Sequence, residues 1–146
     1  MAASIWLVHN DAIRAWNNKE IGPADTYVCK LFTGSSNVYD PTIILASAAT
    51  NEVANGNGYS TGGTAVTLSI AEAAGLVTID CTNALWPATG AGIQAWYAAL
   101  INTTLGSPQI VASCELDVGG SVTASAGTTL SIQINVAGAW TIQRAP

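Results

Sequence analysis

Strict alternation of apolar and polar side chains is the feature that most constrains how this chain folds. In residues 128–136 every second residue is apolar, and Thr, Ser, Gln or Asn stands between. Residues 110–118 show a similar alternation, with Val111, Ser113, Glu115 and Asp117 on the second face. Because successive side chains of a strand point to opposite faces, these segments are predicted strands with one buried and one polar face.

Similar shorter runs occupy residues 26–33, 66–70 and 75–81. Strand signals recur at spacings of roughly 8–12 residues, without the intervening helices that parallel sheets require. The predicted fold class is therefore all-β, an antiparallel β-sandwich or jelly roll.

The segment before Pro23 has a different pattern and predicts a short N-terminal helix. An Asn-Asp pair at residues 10–11 can cap it, apolar residues follow at helical spacing, and Gly-Pro is expected to end it. We therefore divide the chain into an N-terminal helical arm, residues 1–23, and a β-sandwich domain, residues 24–146.

Several segments carry weaker signals. Residues 42–49 are apolar and fit either a strand or a short helix, and residues 51–63 predict a long loop rich in Gly and Asn. Gly119-Gly120 predicts a two-residue hairpin turn, and Ala137-Gly138 gives a weaker signal of the same kind.

Residues 93–101 depart from the alternating pattern because both predicted faces are largely apolar. A strand of this kind is buried on both sides. The second face is covered either by the domain itself or by a partner subunit, and the sequence leaves both possibilities open.

Charge is scarce: the chain has four Lys or Arg and nine Asp or Glu residues, so only 9% of it is charged. No basic cluster exists, which argues against partners such as nucleic acid or an anionic membrane. No apolar run approaches the ~20 residues of a membrane-spanning helix. Such a neutral surface suits a subunit of a permanent assembly, made and folded in a cytoplasm.

Few residues offer reactive chemistry. The single histidine, His9, precedes the helix and is expected to be a capping or surface residue. Cys29, Cys81 and Cys114 alternate with apolar residues, which predicts free buried thiols. Neither Cys-x-x-Cys nor clustered His occurs, so we expect neither a metal nor another cofactor.

Two carboxylates form a candidate catalytic pair. Glu115 and Asp117 fall on the polar face of one predicted strand, about 7 Å apart by strand rise. Solvation explains two charges on a polar face, so we expect the protein not to be an enzyme.

Tryptophan is abundant, with five residues against a single Phe. Trp and Tyr are enriched where an apolar surface meets a partner. Trp6 and Trp16 lie on an arm with little core of its own, which favours a role as interface anchors. The candidate contact residues are Trp6, Ile13, Trp16, Tyr59 and Trp96.

The middle of the chain resembles a known class of proteins. Thr50-Asn51-Glu52-Val53 leads to Gly58-Tyr59-Ser60-Thr61-Gly62-Gly63, and a later strand leads to Trp86-Pro87-Ala88-Thr89-Gly90. This order is similar to small virion proteins of tailed bacteriophages, of the capsid cement or decoration kind.

The resemblance implies a β-sandwich or jelly-roll subunit on the outer capsid surface. Such a subunit forms a homodimer or homotrimer and clamps neighbouring copies of the major capsid protein. No catalytic or cofactor-binding residue comes with it. The expected contacts are residues 4–21 and 51–63, so deleting residues 1–21 is expected to leave a folded β domain that no longer binds the capsid.

Two alternatives accompany this reading. One is a tail-fibre or receptor-binding β-sandwich module that recognises a host surface glycan. The other is a small glycan-active enzyme that uses Glu115 or Asp117.

Overall fold

Twelve short strands and one helix form the regular structure of the computed structural model, which describes residues 4–74, 76–134 and 140–143. The helix α1 spans Asn10–Asn17, and a single 3-10 turn spans Ala46–Ala48. In chain order the strands are β1 Leu7–Val8, β2 Tyr27–Phe32, β3 Thr64–Val66, β4 Leu68–Ala73, β5 Leu76–Cys81, β6 Ala84–Pro87, β7 Ile93–Ala95, β8 Tyr97–Asn102, β9 Gln109–Glu115, β10 Val122–Ala124, β11 Thr129–Ile132 and β12 Trp140–Gln143.

The strands form one five-stranded sheet and three smaller sheets. The large sheet has the order β1-β9-β8-β2-β3, and a second sheet has the order β12-β5-β4. Strands β10 and β7 form one two-stranded sheet, and β11 and β6 form another. All of these pairings are antiparallel, so the all-β antiparallel class predicted from the alternation is confirmed.

Strand β8 lies at the centre of the large sheet and is buried on both faces. Ala98 and Leu100 belong to the main apolar core, which the large sheet shares with residues of the smaller sheets. Ala99 and Ile101 belong to a second core on the opposite face. Residues 38–49 cover that second face with Val38 and partly buried aliphatic side chains. The domain itself therefore covers the second apolar face of residues 97–101.

The predicted strand at residues 93–101 is interrupted at Trp96, which separates β7 from β8. The Trp96 N–H donates to the Phe32 carbonyl (2.9 Å), and the Trp96 carbonyl accepts the Leu116 N–H (2.8 Å). A Cβ at Gly34 would lie 2.9 Å from the indole ring of Trp96, so glycine gives that ring its space. The chain thus passes from one sheet to another at a residue whose main-chain N–H and C=O groups are both hydrogen-bonded.

Gly119-Gly120 does form a tight turn, in which the Gly120 N–H donates to the Asp117 carbonyl at 2.9 Å. The predicted hairpin is limited to this turn, where Asp117 and Gly120 form one antiparallel bridge, and it does not extend into the flanking strands. Strand β9 pairs with β8, and β10 pairs with β7, the segment preceding β8. After the turn the chain therefore continues from β8 to β7 as its pairing partner. The reversal between β8 and β9 lies at residues 103–108. The Ala137-Gly138 signal lies outside the described residues.

The N-terminal segment packs into the domain instead of standing apart as an arm. Strand β1 pairs with β9 at the edge of the large sheet. Ala12, Ala15 and Ile21 are buried in the main core. Removing residues 1–21 would strip these groups from the sheet and the core, so the expectation of an independent β domain after that deletion has to be corrected.

Helix α1 also ends earlier than predicted, at Asn17 rather than at the Gly-Pro pair. Lys19 adopts a left-handed conformation with φ of 59°. Its N–H donates to the Trp16 carbonyl (3.1 Å), and the Glu20 N–H donates to the Ala15 carbonyl (2.8 Å). This is the Schellman pattern, which satisfies the last helical carbonyls and stops the helix.

His9 is completely buried, contrary to the surface position expected for it. Although it is the N-cap residue of α1, its side chain makes no capping bond. Nδ1 lies 2.7 Å from the Ile43 carbonyl and Nε2 lies 2.9 Å from the Ser113 hydroxyl. A carbonyl only accepts, so Nδ1 carries the proton and neutral Nε2 is free to accept from Ser113. The imidazole thereby joins β1, β9 and the loop over the second core.

Acid should weaken the fold through His9. Burial lowers the pKa of His9 below its ordinary 6.5, against smaller opposing effects of the hydrogen bond to the Ile43 carbonyl and of Asp40. The unfolded chain therefore binds a proton that the folded chain excludes, and the free energy of unfolding should fall as pH drops below about 6.5. We expect urea titrations between about pH 5 and 8 to show this slope in the natural protein and to show it reduced in His9→Gln. Equal slopes in both proteins would contradict the assignment.

Candidate contact surfaces

The described residues bring no catalytic constellation together. Glu115 ends β9 and Asp117 lies in the following turn, so the two carboxylates do not share a strand as predicted. Within the described ranges no group of three or more His, Cys, Asp or Glu side chains could hold a metal ion.

All three cysteines are free thiols, as predicted, with Cys29 and Cys114 buried and Cys81 partly exposed. Burial raises the pKa values of Cys81 and Cys114 to about 12. At neutral pH these side chains are protonated apolar groups and not nucleophiles.

An open groove of about 340 Å³ lies between the segment that follows α1 and strand β4. Trp16 and Ile70 give it apolar surface, and Lys19, Glu20 and Asp25 give it charge. Of the candidate contact residues, only Trp16 lines this groove. The groove is lined by Trp16, Lys19, Glu20, Ile21, Gly22, Pro23, Asp25 and Ile70.

Buried hydrogen bonds fix one wall of this groove. Asp25 accepts from the Gly22 N–H (2.9 Å) and from the side-chain amide of Asn102 (2.8 Å), which is completely buried. The Tyr27 hydroxyl donates to the Gly22 carbonyl at 2.7 Å. Burial raises the pKa of Tyr27 to about 12, so the hydroxyl keeps the proton it donates. The groove wall is thus held in one conformation.

Lys19 is the cation at the groove. Arg14 is engaged by Asp11 and Glu20, each at 2.6 Å, whereas Lys19 makes no ion pair with a described residue. Its left-handed backbone would favour glycine. The groove therefore carries a lysine at a position where the backbone alone would select a different residue.

Strand β4, which contributes Ile70 to this groove, forms a hairpin with β5. All residues from 69 to 74 are exposed, and Glu72 is the one charged residue among them. Leu68 is buried, but Ile70 is 45% exposed, and Leu76 on the facing strand is also exposed. We call the lining of the groove together with residues 69–74 and 76 the hairpin–groove surface.

Sequence reasoning missed Ile70, because its alternation with Leu68 predicts that both side chains are buried on one face. The core ends between them, as Leu68 is buried and Ile70 is exposed. Lys19 was also missed, since nothing in the sequence indicates a left-handed backbone at a lysine.

Three other candidate residues lie away from the hairpin–groove surface. Trp6 is partly buried against the main core next to β1, and Ile13 is 56% exposed on α1. Trp96 is partly buried, with its indole against Gly34. None of the three lines the groove or belongs to the hairpin, so the predicted residues do not form a single patch.

Tyr59 is 2% exposed, so the structure assigns it to the core and not to a free contact surface. Its hydroxyl donates to Glu52 (2.8 Å) and accepts the Leu31 N–H (3.2 Å). Its ring lies 5.9 Å from that of Trp86. Burial raises the pKa of Tyr59, which keeps the hydroxyl protonated for its bond to Glu52. The residue clamps the loop of residues 51–63 onto β2.

Glu52 completes this clamp. One carboxylate oxygen lies 3.0 Å from the Lys30 ammonium, and the other accepts the Gly62 N–H at 2.6 Å. Gly63 follows with φ of 79°, and a Cβ there would lie 2.2 Å from the Cys29 carbonyl oxygen. The loop therefore covers the edge of β2 beyond Cys29, where the pairing of β2 with β3 stops.

No protein-family profile matches this chain, and neither a curated protein nor a solved structure is a significant match. No described helix has both the length and the apolar composition needed to cross a membrane.

Replacing Tyr59 with Phe should destabilise the protein. The change leaves the Leu31 N–H without its acceptor and removes a donor from Glu52, which costs about 1–3 kcal/mol. Tyr39→Phe is the matched control, because Tyr39 stacks on Tyr97 and no described residue hydrogen-bonds its hydroxyl. Urea unfolding measures both, and equal losses would contradict the clamp.

Replacing Lys19 with Gly should stabilise the protein by roughly 0.5–1 kcal/mol, because glycine adopts the left-handed backbone without strain. Lys19→Ala removes the charge but keeps the strain, so it should bring no such gain. Thermal unfolding compares the two variants, and an equal gain in both would point to the charge instead.

Proposed function

We propose that this chain is a structural virion protein that decorates and cements a tailed-phage capsid by bridging neighbouring major capsid proteins. One observation carries the proposal: residues 69–74, on and just after the edge strand β4, are all exposed on both faces, and Glu72 is the one charged residue among them. Contiguous exposed apolar surface is typical of protein contacts. The sequence resemblance to capsid cement proteins favours the capsid as the partner.

Exposure on both faces suits a bridging role. A strand that is buried on one side contacts one neighbour, whereas the exposed part of β4 offers side chains on both of its sides. The facing strand β5 packs against the main core through Val77 and Ile79. Ile70 is 45% exposed at the base of the hairpin, and Leu76 is exposed near its tip. Two adjacent capsid subunits can each cover one side of β4, which joins them through the decorating protein.

The scarcity of charge supports the same role. Burying an unpaired charge at an interface is costly, and residues 69–76 contain only Glu72 as a charged group. Burying exposed Ser and small apolar side chains costs little free energy by comparison. Such a surface is better suited to burial in a permanent interface than to exposure on a freely diffusing protein.

The proposed mechanism is mechanical. Many identical subunits repeat one surface over the shell, so an oligomer that engages several of them gains avidity beyond a single contact. An interface of about 1,600 Å² is standard for stable association. Additional buried area between capsid subunits raises the barrier to rupture of the filled shell.

In this proposal the subunit is a β-sandwich or jelly roll on the outer capsid surface, made in the host bacterium's cytoplasm. It associates as a homodimer or homotrimer. The packing of the large sheet against the smaller sheets across the main core supports the layered architecture.

The groove favours one second candidate, a tail-fibre or receptor-binding module that recognises a host surface glycan. Trp16 there stands beside Lys19 and Asp25. An aromatic ring next to polar side chains can hold the apolar face and the hydroxyls of a sugar ring. Glycan-array binding that is lost in Trp16→Ala, with labelled protein at the tail tip, would favour this candidate.

The capsid role predicts that Ile70→Asp lowers occupancy of the particle. The aspartate places a charge in the apolar contact, which should weaken binding about tenfold or more. Purified shells lacking the protein are incubated with each variant, and bound protein is quantified after sedimentation. Leu85→Asp is the matched control, because Leu85 is 54% exposed on β6, outside the hairpin–groove surface.

Cryo-microscopy of the intact particle supplies the decisive comparison. Density for the domain between capsid subunits, with the hairpin at the contact, would support the proposal. Full occupancy by Ile70→Asp would contradict the assigned contact. Absence of the chain from the capsid would contradict the function itself.

A further inference from the structure

Tyr39 and Tyr97 form a stacked aromatic pair on the second face of the large sheet. Their ring centroids lie 5.8 Å apart, and the ring planes differ by 15°. Tyr97 is the first residue of β8 and packs against the second core, whereas Tyr39 belongs to the loop that covers this core. Both side chains are partly exposed. Two stacked rings therefore reach the protein surface at this end of the sheet.

The sheet register places the side chain of Glu115 beside this pair. Glu115 stands directly opposite Tyr97. The Leu116 N–H donates to the Trp96 carbonyl, so the next pair along, Tyr97 and Glu115, is a pair without hydrogen bonds. The Cβ atoms of such a pair lie about 5 Å apart on the same face. Cys114 and Leu116 face the main core, so Glu115 between them faces the second side, with Tyr97.

The main chain of Glu115 is fixed, but its carboxylate is not engaged. The Glu115 N–H donates to the Ser4 hydroxyl (2.9 Å), and its carbonyl accepts the Ser4 N–H (3.0 Å). The carboxylate makes neither a hydrogen bond nor an ion pair with a described residue. The described cations lie elsewhere, since Arg14 and Lys30 pair with other acids and Lys19 lines the groove. This partly exposed carboxylate is therefore available to a cation from outside the chain.

We propose that Tyr39, Tyr97 and Glu115 form a binding site for an arginine side chain of a partner protein. A guanidinium group is planar, stacks on aromatic faces and donates two parallel hydrogen bonds to a carboxylate. The face of a tyrosine ring also attracts a cation through the quadrupole of the ring. In the proposed complex the guanidinium lies on an exposed ring face of the pair, and its N–H groups donate to Glu115.

Charge favours a cationic partner. The chain has a net charge of −5, and the exposed Asp40 next to Tyr39 adds negative potential at this end of the sheet. Arginine fits better than lysine, because an ammonium group cannot stack and offers no planar pair of donors. The inference is independent of the proposed capsid role, since none of the three residues belongs to the hairpin–groove surface.

A blocked arginine residue, N-acetyl-argininamide, is the probe for this site. It is titrated into the isotope-labelled full chain, and the amide chemical shifts are followed by NMR. Because the contact is small, we expect a Kd in the millimolar range, with the largest shifts at Tyr39, Tyr97 and Glu115. N-acetyl-citrullinamide has the same shape but a neutral end group, so it should bind about tenfold more weakly or worse.

Three variants separate the carboxylate from the rings. Glu115→Gln keeps the size of the side chain but removes its charge, and it should raise the Kd of the arginine probe about tenfold. Glu72→Gln is the matched control, because it makes the same change on β4 in another sheet and should keep the natural affinity. Tyr39→Leu removes one ring and should weaken binding about threefold or more, whereas Tyr39→Phe keeps the ring and should retain the affinity.

Thermal unfolding of each variant verifies that it is folded before the titration. Equal affinity for the arginine and citrulline probes would overturn the proposal, as would natural affinity in Glu115→Gln. An equal loss in Glu72→Gln would show that net charge attracts the probe, which also contradicts a built site. Binding of a neutral sugar such as N-acetylglucosamine at these residues, without binding of the arginine probe, would assign the tyrosine pair to a glycan instead.

Discussion

Burial of the large sheet on both of its faces is the constraint on which the rest of this structure depends. Ala98 and Leu100 of β8 face one core, and Ala99 and Ile101 face the other. A sheet of this kind needs two covering layers, which the smaller sheets and the loop around Ala46–Ala48 provide. Since both faces of β8 must be covered, segments that are distant from it in sequence pack against it. The N-terminal segment becomes part of the structure for the same reason.

A chain with so few charges holds its loops with neutral polar groups. His9 stays neutral between Ile43 and Ser113, and Tyr59 supplies the acceptor that the Leu31 N–H lacks. Each bond joins segments far apart in sequence, so the polar groups specify the arrangement of loops that apolar packing alone leaves open. Breaking such a buried bond costs more free energy than forming it gains, because the broken bond leaves a buried polar group unpaired.

The sequence by itself determined strands β2, β5 and β9, the antiparallel all-β class and the burial of Cys29 and Cys114, because period-two alternation reports which face of a strand is apolar. Only the tertiary structure decided where the cores end and what covers each face. It buried Tyr59 and His9, exposed Ile70 and broke the strand at Trp96. Local periodicity contains no information about a second layer, and that layer is supplied by contacts between residues far apart in the chain.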